Sequence, residues 1–166
     1  MLKFLAKAGL TALTLGALPA AAQAQLGADA GVCRARQPSI LVNIVGLSQR
    51  SGNIRVALYN NPSTFLDRGQ TLRKVNVPVT PGGPMRVCIA VPRAGQYAIA
   101  VRHDVDGDNA RGDWGDGGGF TRNPRLSLLH LRPRFGDVAV NVGHDVLGVN
   151  VVLNYRFGLS IRPVNG

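Results

Sequence analysis

Residues 95–104 read GQYAIAVRHD, and this stretch decides the fold because its apolar residues alternate as they do in a half-buried β-strand. The alternation places Tyr97 and Ile99 on one face of the predicted strand, together with His103. Asp104 falls on the opposite face and opens a long acidic loop. A β-rich fold with a polar group at one strand end is therefore the first expectation.

Six further segments show the same alternation and are separated by turns rich in glycine, proline, asparagine and serine. The predicted strands cover residues 40–44, 53–59, 72–79, 85–91, 137–142 and 149–155. We expect the first two to form a hairpin, residues 63–69 to form one helical turn, and residues 121–134 to form an ordered crossover without a helix. No long amphipathic helix is indicated, so the pattern predicts an all-β protein, a single β-sandwich of about seven strands.

The N-terminal residues 1–24 have the pattern of a secretory signal peptide. Two lysines precede an apolar run that is too short to span a bilayer comfortably, and Ala-Gln-Ala at 22–24 fits a cleavage site. A retained membrane anchor is the less favoured alternative. We expect a loose N-terminal arm over residues 25–38, the sandwich domain over 39–158 and a C-terminal tail over 159–166. The protein is thus expected to be exported, to the periplasm or the extracellular space.

The chain has two cysteines, Cys33 and Cys88. In an oxidising compartment, such a pair in a small domain is most simply a disulfide, which here would tie the arm to a later strand. The wide spacing excludes a CxxC redox or zinc motif.

The charge of the chain is strongly basic, with 19 lysines and arginines against 9 aspartates and no glutamate. Such an exterior can meet anionic lipid headgroups, lipopolysaccharide phosphate or acidic polysaccharide, or it can serve solubility alone. The arginines are scattered and few aromatic residues lie between them, so we expect no nucleic-acid binding.

The acidic loop gathers five of the nine aspartates between residues 104 and 116. The first three follow a D-x-D-x-D spacing, by which a tight loop turns alternate carboxylates onto one hard cation, and calcium is the ion expected. An EF-hand is excluded because Asn109 stands where its glycine is expected, Gly115 stands where its glutamate is expected, and no helices flank the loop. The predicted metal ligands are Asp104, Asp106, Asp108, Asp113 and Asp116, and the predicted supporting residues are His103, Asn109, Arg111, Phe120 and Asn123.

Two other interpretations of the acidic loop remain open. The aspartates can be turn-forming residues whose charge is neutralised by nearby arginines, of which Arg102 and Arg111 are the closest in sequence. Alternatively, His103 can act with Asp104 or Asp116 in a hydrolase. No known catalytic motif is present, so we expect the protein not to be an enzyme.

Two segments of the chain resemble the signature of a bacterial family of small exported proteins. The segments are residues 95–108 and the DGGGFTRNP sequence at 116–124, and the likeness extends to residues 52–60 and to the strand at 149–155. The family is that of domain of unknown function 2141. The resemblance implies an immunoglobulin-like or transthyretin-like sandwich that is exported and has no established activity. The family usually has glycine at the position of Asn109.

Taken together, these features predict an exported, non-enzymatic β-sandwich whose acidic loop binds calcium and presents a surface to an envelope glycan, lipid or protein. The alternatives are the hydrolase that uses His103 and a basic module that binds anionic envelope polymers.

Overall fold

The structure is a computed structural model, and it describes residues 25–109 and 114–164. The predicted signal peptide therefore lies outside the described residues. The strands are β1 (Gln25–Leu26), β2 (Ser39–Val45), β3 (Asn53–Tyr59), β4 (Arg73–Pro78), β5 (Met85–Ala90), β6 (Gly95–Asp104), β7 (Gly117–Phe120), β8 (Val140–Val142), β9 (Val146–Val152), β10 (Tyr155–Phe157) and β11 (Ser160–Arg162). The helices are α1 (Ala30–Arg34) and α2 (Phe135–Val138), and a 3-10 turn covers Pro62–Thr64.

Two β-sheets face each other. The first has the strand order β1-β5-β2-β9, and the second has the order β4-β3-β6-β7, with β8 paired to the beginning of β6. The β1/β5 and β2/β9 pairs are parallel, whereas the pairs of the second sheet are antiparallel. Strands β10 and β11 form a separate antiparallel hairpin. The predicted all-β sandwich is confirmed.

The main core lies between the two sheets and is built by the alternation seen in the sequence. Ile40 and Val42 of the first sheet and Ile54, Val56 and Ile99 of the second are among its fully buried residues. These branched side chains fit the pleated surface of a strand. Burying them on the inner face of each sheet removes apolar surface from water, which stabilises the fold. A smaller apolar cluster covers part of the outer face of the second sheet and comprises Ala57, Tyr59, Phe65, Ala98, Phe135, Val138 and Ala139.

The predicted hairpin between the first two strands is wrong. Strand β2 pairs with β5 and β9, whereas β3 pairs with β4 and β6 in the opposite sheet. The turn between β2 and β3 therefore crosses from one sheet to the other. Alternation shows which face of a strand is buried but not which strand lies beside it, because pairing partners are distant in sequence.

Three other local predictions need correction. The predicted strand 137–142 is strand only from residue 140, because residues 137 and 138 belong to α2. Asp137 caps this helix by accepting a hydrogen bond from the backbone N–H of Arg134 at 3.2 Å. The last predicted strand is divided between β9 and β10. The helical turn covers Pro62–Thr64 and not residues 63–69, and the Asn61 side chain caps it.

The N-terminal segment is packed and not loose. Strand β1 pairs with β5, and α1 carries Cys33, which forms the predicted disulfide with Cys88. Asp29 is buried and accepts hydrogen bonds from the Arg73 guanidinium and from the backbone N–H of Ala90. At the other end of the chain, β11 pairs with β10, so residues beyond 158 also belong to folded structure.

The strand count is higher than the predicted seven because β1, β7, β10 and β11 have only two to four residues, too few to show an alternation. In the part of the chain that the structure describes, neither helix is long and apolar enough to traverse a bilayer.

Candidate functional site

Asp104 is the last residue of β6 and lies on the outer face of the second sheet, as the alternation predicted. Its side chain is buried, with 3% of the residue exposed. One carboxylate oxygen accepts the backbone N–H of Gly107 and the other accepts that of Asn109, both at 3.1 Å. These two bonds fold the beginning of the acidic loop back over the end of the strand.

Three carboxylates meet at this turn. Asp104, Asp106 and Asp108 each offer an oxygen, and these oxygens lie within 4.8 Å of one another. Asp106 and Asp108 are exposed, and the backbone N–H of Asp108 donates to Asp106 Oδ1 at 3.2 Å. Two unit charges 4.8 Å apart repel by about 0.9 kcal/mol in bulk water and by about 3.5 kcal/mol at an effective dielectric constant of 20. The three carboxylates therefore repel one another where they meet.

Two residues with left-handed backbone make the loop tight. Gly107 has φ 76° and Asn109 has φ 62°, so Asn109 adopts the conformation expected from its place in the D-x-D-x-D pattern. The Asn109 side-chain oxygen accepts a hydrogen bond from the Arg55 guanidinium at 2.9 Å, and Arg55 also donates to Asn76 at 3.1 Å. This hydrogen bond connects the acidic loop to β3.

Asp116 lies outside the group of three carboxylates. Arg102 binds it with Nε and Nη2 at 2.9 and 2.7 Å from Oδ2, and the backbone N–H of Val105 donates to Oδ1 at 3.2 Å. Arg102 Nη2 also lies 3.7 Å from Asp104 Oδ1. Arg102 therefore connects the two ends of the acidic loop and partly neutralises the charges of the Asp104 and Asp116 carboxylates.

The other predicted site residues are Arg111, Asp113, Phe120 and Asn123. Arg111 and Asp113 lie outside the described residues. The glycines at 117–119 form strand β7 with Phe120, so the acidic loop ends at Asp116 and does not extend to Phe120. Asn123 ties the segment after β7 to β9, because its side chain accepts from Val152 N at 2.8 Å and donates to Asn150 O at 3.1 Å.

His103 faces the core and not the carboxylates. Its Nε2 lies 2.9 Å from the Ser51 carbonyl oxygen, which can only accept, so Nε2 carries the proton. In the neutral ring Nδ1 then accepts from the Tyr155 hydroxyl at 2.6 Å, and that hydroxyl accepts from Ser48 N–H at 3.1 Å. Burial raises the pKa of the Tyr155 phenol, which keeps it protonated as the donor.

This network gives His103 a structural role. The imidazole is fully buried and both ring nitrogens are engaged. Among the described residues no ion pair joins His103 to a carboxylate. Within the described part of the chain, His103 is therefore not paired with Asp104 or Asp116, the two carboxylates named in the hydrolase alternative.

The segment before β3 supports the loop, and sequence reasoning did not single it out. Gly52 has φ 70°, and a Cβ on it would lie 1.9 Å from the Asp104 carbonyl oxygen. Ser51 Oγ donates to the Val105 carbonyl at 2.9 Å. The only sequence signal for these contacts is that residues 52–60 belong to the stretches with family resemblance, since the partners are some fifty positions apart.

The comparison with known families matches residues 42–150 to the family described as uncharacterized protein conserved in bacteria, DUF2141. The chain belongs to the DUF2141 family. The region that matches the DUF2141 model runs from β2 into β9, and it includes the three-carboxylate turn, Arg102 and the glycine strand β7. No curated protein and no solved structure matches the chain.

Proposed function

We propose that this protein is an exported, non-enzymatic β-sandwich that binds calcium with Asp104, Asp106 and Asp108. The observation that supports calcium is the convergence of three carboxylate oxygens within 4.8 Å. Calcium binds oxygen ligands at about 2.3–2.6 Å, so two oxygens on one ion can be up to about 5 Å apart. Small side-chain rotations would therefore bring the three carboxylates onto one ion, and backbone carbonyls or water would complete the six to eight ligands that calcium takes.

Two features support export. Residues 1–24 have the charge and apolar pattern of a signal peptide, and the Cys33–Cys88 disulfide suits an oxidising compartment. A role without catalysis is supported by the engagement of both nitrogens of His103 in the core.

The ion would change the state of the loop more than that of the sandwich. It would neutralise the repulsion among the three aspartates and fix the turn at residues 104–109. Arg102 already holds the other end of the loop through Asp116. The calcium-loaded loop would then be a rigid edge of the molecule, presented to a partner in the cell envelope.

The experiment is a thermal unfolding of the mature chain, residues 25–166, in calcium and in EGTA, together with calorimetric titration of calcium. For a dissociation constant of about 0.1 mM, which extracellular calcium modules show, about 1 mM calcium stabilises the folded state by about 1.4 kcal/mol. This corresponds to a rise in Tm of roughly 3–6 °C for a chain of this size.

Asp106→Asn separates calcium binding from turn formation. Asparagine keeps a side-chain oxygen for the backbone N–H of Asp108 but removes one ligand charge. We expect this variant to keep its Tm in EGTA and to lose most of the calcium-induced rise. Asp67→Asn is the matched control, because Asp67 is an exposed aspartate that pairs with Arg132 outside the loop. A wild type with neither a Tm rise nor a heat of binding would leave the aspartates as turn-forming residues only.

A further inference from the structure

An apolar cavity of about 260 Å³ lies beside the C-terminal end of the acidic loop. The three clustered carboxylates belong to the other end of the loop. The cavity is lined by the end of the loop with Trp114 and the ion-paired Asp116, by β7 with Phe120, by the crossover after β7 with Leu126, Leu128 and Leu131, and by the β10–β11 hairpin with Ile161. We call this surface the Trp114 face.

Large apolar side chains project from the same segments into solvent. Trp114 is 71% exposed, Leu129 is 90% exposed and Leu159 is 86% exposed. Leu129 lies between cavity-lining leucines, and Leu159 lies at the tip of the hairpin that supplies Ile161. Scattered exposed leucines are ordinary, but several that border one apolar cavity mark an interaction surface.

The charged groups of this region are mostly cationic. The Arg156 guanidinium stacks 3.4 Å above the Trp114 ring. A second cleft, of about 320 Å³, is lined by Arg125, Arg132, Arg134 and His130 from the same crossover. Its acidic residue, Asp137, already accepts the backbone N–H of Arg134. The crossover thus contributes leucines to the apolar cavity and arginines to the neighbouring cleft.

We propose that the Trp114 face docks onto the surface of an anionic phospholipid membrane. Trp114, Leu129 and Leu159 enter the boundary between headgroups and acyl chains, where tryptophan and protruding aliphatic side chains are most favourable. The exposed Arg125 and Arg134 bind lipid phosphates, which their planar guanidinium groups match geometrically. The inference rests on the exported, partner-binding role proposed above, but it does not require calcium.

The position and exposure of the apolar side chains favour a lipid bilayer over a folded protein as the partner. Leu129 and Leu159 extend from turns of different segments, and each is almost wholly exposed. Side chains of this kind insert independently into a lipid boundary, whereas a protein partner needs a continuous complementary surface. The mature chain keeps 17 of the 19 basic residues and all 9 aspartates, and its net charge of +8 acts in the same direction on an anionic bilayer.

The chain provides its own reporter, because Trp114 is its one tryptophan. The experiment measures co-sedimentation and tryptophan emission of the mature protein with phosphatidylcholine vesicles and with vesicles that contain about a third phosphatidylglycerol, both in EGTA and in calcium. We expect at least about tenfold tighter binding to the anionic vesicles and a blue shift of the emission that only these vesicles cause. Raising the salt concentration should weaken the binding.

Paired variants test the two kinds of contact. Leu159→Ser and Arg125→Gln should each weaken binding to anionic vesicles by roughly threefold or more. The matched controls are Leu72→Ser and Arg93→Gln, which change an exposed leucine and an exposed arginine outside the Trp114 face. All four should keep the Tm of the wild type.

Each other outcome overturns the inference. Binding without a blue shift and without an effect of Leu159→Ser would show a purely electrostatic basic surface. A blue shift of the tryptophan emission with a monomeric short-chain anionic amphiphile, below its micelle concentration, but not with vesicles would show that the cavity binds a single small ligand. Self-association that buries Trp114 without lipid would assign the face to a second copy. Because the EGTA samples contain no free calcium, vesicle binding in them stands whether or not the calcium proposal fails.

Discussion

Substitution of Gly119 by alanine should destabilise the sandwich, although the residue lies in a glycine run that resembles a flexible linker. Gly119 is in β7 opposite Val101, where β7 approaches β9 of the other sheet. A Cβ at this position would lie 2.5 Å from the Val152 carbonyl oxygen and 2.8 Å from Val151 Cγ1. Because the oxygen belongs to the backbone of a paired strand, the clash is relieved only if the two sheets separate locally.

The magnitude follows from two opposing effects. Overpacking of a well-packed interior costs about 1–3 kcal/mol, and the lower entropy of the unfolded alanine chain returns about 0.4–1 kcal/mol. The backbone of Gly119 does not have a positive φ, so strain in the dihedral angles adds nothing. The two ranges give a net loss of about 0–2.6 kcal/mol, centred at about 1.3 kcal/mol, which corresponds to a decrease in Tm of roughly 3–5 °C.

Differential scanning calorimetry on three single variants provides the assay. Gly118→Ala is the control, because its Cβ would lie 3.6 Å from the Val101 carbonyl oxygen, an ordinary contact. Gly117→Ala should be destabilised as well, since its Cβ would lie 2.3 Å from the ring of Tyr155, which Ser48 and His103 hold in place. A Tm of Gly119→Ala equal to or above that of Gly118→Ala would refute the reasoning.

Two further predictions concern the N-terminal segment. Replacement of Cys33 and Cys88 by alanine opens a loop of 55 residues and should lower the free energy of unfolding by about 4 kcal/mol in urea titrations; an unchanged urea midpoint would contradict this. Arg73 lowers the pKa of Asp29, so this carboxylate stabilises the fold fully above the unfolded pKa of about 4, and the contribution is lost as the pH falls through the folded value. The difference in stability between wild type and Asp29→Asn, measured by urea unfolding, should therefore shrink from pH 6 to pH 2, and a constant difference would exclude the ion pair as its cause.

The sequence was sufficient to predict which face of each long strand is buried. In residues 95–104 the alternation correctly placed His103 toward the core and Asp104 outside it, because side-chain direction follows from a period of two alone. Strand pairing was not predictable in the same way. The 46–52 turn could close a hairpin or cross between sheets, and the choice depends on β5, β6 and β9, which are distant in the chain.

The candidate site was predictable to a similar extent. The D-x-D-x-D spacing identified the three converging aspartates, and Asn109 has the left-handed backbone that asparagine tolerates at the position where an EF-hand has glycine. The separation of Asp116 from that group could not be foreseen, since it depends on the reach of Arg102 across β6 and β7. No strand is predicted over the glycines at 117–119, because glycine without a side chain gives the same sequence signal in a flexible loop as in a closely packed strand.

The ion pair between Arg102 and Asp116 explains why the two proposed surfaces can belong to one structure. Asp116 lies two residues after Trp114 and directly before β7, and Arg102 of β6 binds its carboxylate. The end of the loop that carries Trp114 is therefore fixed by an ion pair within the protein, whereas the end that carries Asp106 and Asp108 brings three carboxylates together. The proposed calcium ion would bind only at the second end, so it would set the order of the loop there while the Trp114 face remains available without it.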